Sequence, residues 1–135
     1  MAHFDKHFTL KEAQALLPRF REIFAEIHAL VNEARGGQPS QPPNRFPAPR
    51  TNGHHKEKLE RRDEILNQIN DLVTEITDQG VVIQDITRGL IDFPAFIHGE
   101  EVFLCYELTD GDSIQYYHHL TAGYAGRHPI PPDME

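Results

Sequence analysis

The chain contains a single cysteine and no tryptophan. One thiol, Cys105, excludes an internal disulfide and every metal or redox motif built on paired cysteines. No run approaches the ~20 consecutive apolar residues that a helix needs to cross a bilayer. The opening MAHFDKHFTL has neither the basic stretch nor the apolar stretch of a secretory leader, so a cytoplasmic location is expected. Basic residues are also scarce: 13 Lys and Arg against 21 Asp and Glu give a formal charge of −8. That balance opposes the phosphate neutralisation that supplies most nucleic-acid affinity. The one basic cluster, Lys56, Lys58, Arg61 and Arg62, is interrupted by Glu57 and Glu60, and neither nucleic acid nor a membrane is expected as a partner.

What is present suffices for one domain: 135 residues, of which 39% are apolar. Thr9 followed by Glu12 forms a capping box, which starts a helix over 9–35. Beyond it Ala13, Leu16, Leu17, Phe20, Ile23, Phe24, Ile27, Leu30 and Val31 recur at spacings of three and four and share one stripe. Pro18 falls inside this stripe, but the pattern resumes in phase, which predicts a bend and not an end. Residues 36–53 hold five prolines and no periodicity, and they read as a flexible linker in preference to a Pro-rich ligand using Pro39 and Pro42. A second helix is predicted over 55–79, with Leu59, Ile65, Leu66, Ile69, Leu72, Val73 and Ile76 on one face and Gly80 as its left-handed cap.

After Gly80 the period becomes two. VVIQDI, LIDFPAFI, EVFLCYEL and SIQYYHHL are separated by turn signals, the clearest being His98-Gly99 and Asp110-Gly111. The predicted fold is α+β: a long antiparallel helical hairpin packed on a small antiparallel β-meander of three to four strands over 81–120, then a C-terminal tail over 121–135. Turn length fixes register. A two-residue turn at His98-Gly99 sets Asp92 opposite Cys105 and Phe93 opposite Leu104, and a turn centred on Asp110-Gly111 sets Cys105 opposite Tyr116 and Phe103 opposite His118. One face then carries Ile91, Phe93, Ala95, Ile97, Val102, Leu104, Tyr106 and Leu108 and packs on the hairpin. The other carries Asp92, Pro94, Cys105, Glu107, Tyr116 and His118, with Arg88 beside it. Gly123 and Gly126 allow the tail to double back, bringing Arg127 over this second face for an expected ion pair with Asp92.

The segments FTLKEAQALLP, RGLIDFPA, VFLCYEL and AGYAGRHPI resemble, in the same order, the signatures of a family of small uncharacterised bacterial proteins, the domain of unknown function 2203 family. The resemblance covers nearly the whole chain apart from the Pro-rich segment. It falls on Arg88, Gly89, Leu90, Asp92, Phe93, Pro94, Ala95, Leu104, Cys105, His118, Gly123, Gly126 and Arg127. Tyr106 and Tyr117 stand where that pattern has tryptophan, Tyr124 where it has phenylalanine, and His119 where it has glutamate. The last departure removes a carboxylate beside His118. The resemblance implies a family and no established activity.

Three functional readings follow. The preferred one is a non-enzymatic interaction module, a homodimer through the hairpin, because a helix of this length spans about 38 Å whereas a strand of seven or eight residues covers about 25 Å. The sheet therefore leaves apolar residues such as Leu30, Val31 and Leu59 uncovered. In this reading no cofactor is required, and Arg88 and Arg127 receive a protein partner or small anionic ligand, unless Arg88 simply pairs with Glu107 or Asp92. The second reading is a metal site for zinc or another divalent metal, with Asp92, Cys105, His118 and His128 as candidate ligands. The third is an enzyme with Cys105 as nucleophile, His118 as general base and Asp92 or Glu107 orienting it, but no catalytic motif surrounds Cys105. For the preferred reading, light scattering at micromolar concentration is expected to give a dimer mass, and Leu30→Asp is expected to shift it toward monomer. A monomeric mass for the unmodified chain would remove the dimer.

Overall fold

The structure, a computed structural model, describes residues 2–36 and 52–133. The expectations for the Pro-rich segment therefore lie largely outside the described residues. The first helix, α1 (Leu10–Ala34), opens with the predicted capping box: the Thr9 hydroxyl accepts from the Glu12 amide at 3.0 Å, and the Glu12 carboxylate accepts from the Thr9 amide at 3.0 Å. It runs through Pro18 without ending, and Ala13, Leu17, Phe20, Ile23, Phe24 and Ile27 are buried along one side. The second helix, α2 (Asn52–Thr77), begins before the expected residue 55. Arg19 near the start of α1 pairs with Glu75 near the end of α2, while Glu33 near the end of α1 pairs with Arg61 near the start of α2. Those two ion pairs fix the hairpin as antiparallel. Among the described residues no helix is long and apolar enough to cross a membrane.

Gly80, at φ 93°, releases the chain from α2 into the sheet. Five strands follow in spatial order: β1 (Val82–Asp85), β2 (Leu90–Ile97), β3 (Glu100–Tyr106), β4 (Tyr116–His119) and β5 (His128–Pro129), each antiparallel to its neighbour. The sequence predicts three to four strands; the fifth lies in what reads as tail. Its two residues carry no period and one is a proline, which an edge strand tolerates. Strand β4 is also shorter than its apolar run, because a 3-10 turn over Leu108–Asp110 and the residues after it take up the crossing.

The register is the one that turn length predicts. Asp92 lies opposite Cys105, Phe93 opposite Leu104, Cys105 opposite Tyr116 and Phe103 opposite His118. His98 (φ 51°) and Gly99 (φ 82°) make the tight turn that sets it. On the hairpin side Ile91, Phe93, Ala95, Ile97, Val102, Leu104 and Tyr106 are buried in one core with the α1 stripe. There the Phe93 ring stacks on Phe20 at 6.1 Å and meets Phe8 edge-on at 5.4 Å.

The opposite face is covered as well. Glu101 accepts from the His3 and Phe4 amides at 2.7 and 3.2 Å and pairs with His7 at 2.6 Å, holding the N-terminal segment so that Phe4 packs on Phe103. The C-terminal segment covers the rest, so Asp92, Cys105, Glu107 and His118 are all buried. Gly89 is where the segment before β2 packs most tightly: its φ is 59°, and an added Cβ would stand 2.4 Å from Leu108 Cγ. Gly89→Ala is expected to destabilise the fold by about 2–4 kcal/mol, from backbone strain plus overpacking. Urea denaturation measures this, and a loss under about 0.5 kcal/mol would show that Leu108 moves aside freely.

Candidate metal centre

Three antiparallel strands each deliver one polar side chain to the same place on the sheet face away from the helices. Asp92 comes from β2, Cys105 from β3 and His118 from β4, and they are exposed by only 1%, 1% and 3%. One donor atom of each lies within 4.8 Å of the others. His118 Nε2 stands 3.0 Å from Asp92 Oδ1, and the Cys105 sulfur lies within 4.8 Å of a donor atom on each of these residues. The second Asp92 oxygen accepts from the Gln84 side-chain amide at 3.0 Å. His118 Nδ1 faces the His119 carbonyl at 2.8 Å.

These partners settle the protonation of the group. A carbonyl can only accept, so Nδ1 donates to it, and the carboxylate facing Nε2 calls for a proton there too. Burial opposes a charged His118, but the hydrogen bonds to Asp92 and to the His119 carbonyl outweigh it and raise its pKa. Burial first, and then the negative charge of Asp92, push the Cys105 thiol up, well beyond the ordinary thiol range. Without a metal the sulfur is a neutral thiol. That is the reverse of what a nucleophile needs.

A cavity of about 220 Å³ opens onto the three residues. Its walls are Leu90, Phe103, Leu120, Gly123 and Tyr124, with Gln84 at the rim. The Tyr124 wall is held from behind by Glu107, which accepts from the Tyr124 hydroxyl at 2.5 Å and from Arg88 at 2.7 Å and pairs with Arg127 at 3.4 Å. Arg127 also pairs with Asp110 at 2.7 Å and lies over the Tyr116 and Tyr124 rings, while Arg88 lies over Tyr124.

The sequence-predicted residues thus divide into two groups. Asp92, Cys105 and His118 come together. Arg88 and Arg127 do reach this side of the sheet, but both are bound to Glu107, so the expected Arg127–Asp92 pair is replaced by Arg127 with Glu107 and Asp110. The reason is direction: Glu107 follows β3 at the end where the 3-10 turn brings Asp110 back, whereas the two Asp92 carboxylate oxygens are taken by Gln84 and His118. His128 is exposed on β5 beside Tyr117 and His119 and does not join the three-residue group. Sequence reasoning missed Gln84, Asp110, Leu120 and Tyr124. A glutamine amid the apolar residues of VVIQDI was the one available sign.

Residues 6–130 match the family described as an uncharacterized conserved protein (DUF2203). The segments RGLIDFPA and VFLCYEL supply Asp92 from β2 and Cys105 from β3, and His118 on β4 is a further position on which the resemblance falls. No curated protein matches the chain, and no solved structure does.

The buried hub makes a pH prediction. Burial alone would raise the Glu107 pKa, but the Tyr124 hydroxyl and then Arg88 more than offset it, so the folded value lies below the ordinary carboxylate range. A group depressed on folding stabilises fully above its unfolded pKa of ~4.3, and that stability fades as pH falls through the lower folded value. Glu107→Gln is expected to lower stability at pH 7 and to flatten its acid dependence below about pH 5, followed by denaturant midpoints. An unchanged acid slope would show that Glu107 is not the titrating anchor.

Proposed function

The chain belongs to the family of uncharacterized conserved proteins DUF2203, and we propose that it is a metal-binding protein whose centre is Asp92, Cys105 and His118. The observation that carries this is the convergence of three different donor types, all buried, with their ligand atoms within 4.8 Å of one another. A tetrahedral ion with bonds of about 2.0–2.3 Å draws its donors to about 3.5 Å apart. Only a small contraction of the side chains is needed.

The surroundings favour the same reading. His118 donates Nδ1–H to a backbone carbonyl, the support that a ligating imidazole ordinarily has, and this leaves Nε2 as the ligand atom. Gln84 holds the Asp92 oxygen that faces away from His118, so the carboxylate is oriented from outside the centre. One thiolate, one imidazole and one carboxylate suit zinc above calcium or magnesium, which take oxygen donors. Three protein ligands would leave one position of a tetrahedral ion for a non-protein ligand, and all three residues line the cavity. When bound, the ion would supply a Lewis-acidic position there. Gln84, His119 and the strand register are what hold the three ligands ready.

Cobalt(II) is the informative substitute, because its absorption reports thiolate ligation. The full-length chain is expected to take up one cobalt ion per molecule with a thiolate-to-metal band and a raised thermal midpoint. Cys105→Ser should remove the band, and His118→Gln should weaken binding at least tenfold. Uptake should release protons and weaken as pH falls, since metal replaces the protons on Cys105 and His118. Absence of both the band and the thermal shift in the unmodified chain would overturn the proposal.

A further inference from the structure

We infer, resting on that metal centre, that residues 3–7 form a hinged strap, latched by Glu101, whose release opens the way for a metal ion to Asp92, Cys105 and His118. The need for movement comes from burial. All three residues are almost wholly enclosed, and a hydrated ion needs an entry path to its ligands. One wall of the cavity therefore gives way.

The walls differ in how they are held. Leu90 is buried within β2. Tyr124 is fastened through its hydroxyl to Glu107, with Arg88 and Arg127 over its ring. Leu120 enters a turn closed by the Ala122 amide on the His119 carbonyl at 3.1 Å. Phe103 is held differently. Its ring lies 5.4 Å from that of His118 and meets the Phe4 ring edge-on at 5.2 Å, so this wall leans on the strap.

The fastenings of the strap are few and converge on one side chain. Glu101 accepts from the His3 and Phe4 amides at 2.7 and 3.2 Å and pairs with His7 Nε2 at 2.6 Å. His7 also stacks on Phe96 at 4.2 Å, whereas His3, Asp5 and Lys6 are exposed. The root is firmer: Phe8 is buried, its amide donates to the Pro94 carbonyl at 2.7 Å, and the Lys6 ammonium lies over its ring at 4.8 Å. A segment with little buried surface, tied by one carboxylate next to a fixed root, opens at lower cost than the sheet or the Glu107 cluster. When it lifts, Phe4 leaves Phe103, and the Phe103 ring gains room to turn away from His118 and widen the entrance.

Cys105, the only thiol of the chain, reports this opening without any metal. The metal-free full-length chain is treated with iodoacetamide in water and in dilute urea. Alkylation is expected to be insensitive to urea well below the unfolding transition, as local opening is. Glu101→Gln and Phe4→Ala are each expected to speed it about tenfold, through loss of charge-assisted hydrogen bonds and of a ring contact. In the same variants cobalt uptake, and its release to EDTA, are expected to quicken together with affinity unchanged; damage to the ligands themselves would lower affinity. Alkylation unmoved by both variants, or proceeding only with global unfolding, would overturn the strap and leave the metal centre standing, and acceleration by Leu120→Ala instead would place the entrance at the C-terminal segment. No cobalt uptake by the unmodified chain, with alkylation still responding to both variants, would overturn the metal centre, and metal entry with it, although the strap opens.

Discussion

A two-residue turn governs the arrangement of everything on the polar side of the sheet. Because His98 and Gly99 both adopt positive φ, β2 and β3 must pair with Asp92 opposite Cys105. Side chains alternate between faces, so a slip of one residue would send Asp92 toward the helices and Phe93 toward the cavity. The apolar partners lock the choice from the other side. Phe93 sits between Phe8 and Phe20 and is fully buried, and no polar residue could take its place without leaving a carboxylate in the α1 core. The helical hairpin thereby positions the candidate centre without touching it.

Both sheet faces are buried, yet by different means. The hairpin covers one with the regular α1 stripe. Two irregular segments cover the other, each fastened by a carboxylate: Glu101 holds the N-terminal segment and Glu107 the C-terminal one. A face that must enclose a polar group cannot be closed by an apolar helix without leaving buried donors unpaired. Loops can be shaped around it, because their own backbone and side chains supply the missing partners. The Tyr124 hydroxyl that donates to the buried Glu107 is one such partner.

The parts of this molecule that could be read from sequence are those governed by period and by turn length. The α1 stripe, the Thr9 capping box and the β2–β3–β4 register all depend on neighbours within a few residues or on the parity of a short turn. The identity of ion-pair partners was less accessible. Arg127 lies on Glu107 and Asp110, a choice decided by how the Gly123–Gly126 turn and the 3-10 turn meet in space, and no local pattern encodes that meeting. Gln84 escaped notice for a similar reason, since its task is to hold a residue on the adjacent strand. The substitution of His119 for an acid looked damaging on paper because it removed a carboxylate next to His118. In the fold His119 turns to Glu100 at 2.8 Å, and the carboxylate that serves His118 is Asp92, 26 positions away in sequence.

The protonation of the three central residues makes the metal-binding reading electrostatically consistent. The His118 ring donates to the Asp92 carboxylate and to the His119 carbonyl, and Cys105 beside them is a thiol, so the buried group carries its own counter-charge far from water. Replacing the His118 Nε2 proton and the Cys105 proton by one divalent cation exchanges two positive charges for two. The charge of the site is the same before and after, so the low-dielectric surroundings impose no net penalty for a change in charge. A monovalent ion in the same exchange would leave one negative charge buried, and a trivalent ion one positive charge. A bound ion would thereby be selected for charge through burial, and for softness through the sulfur donor.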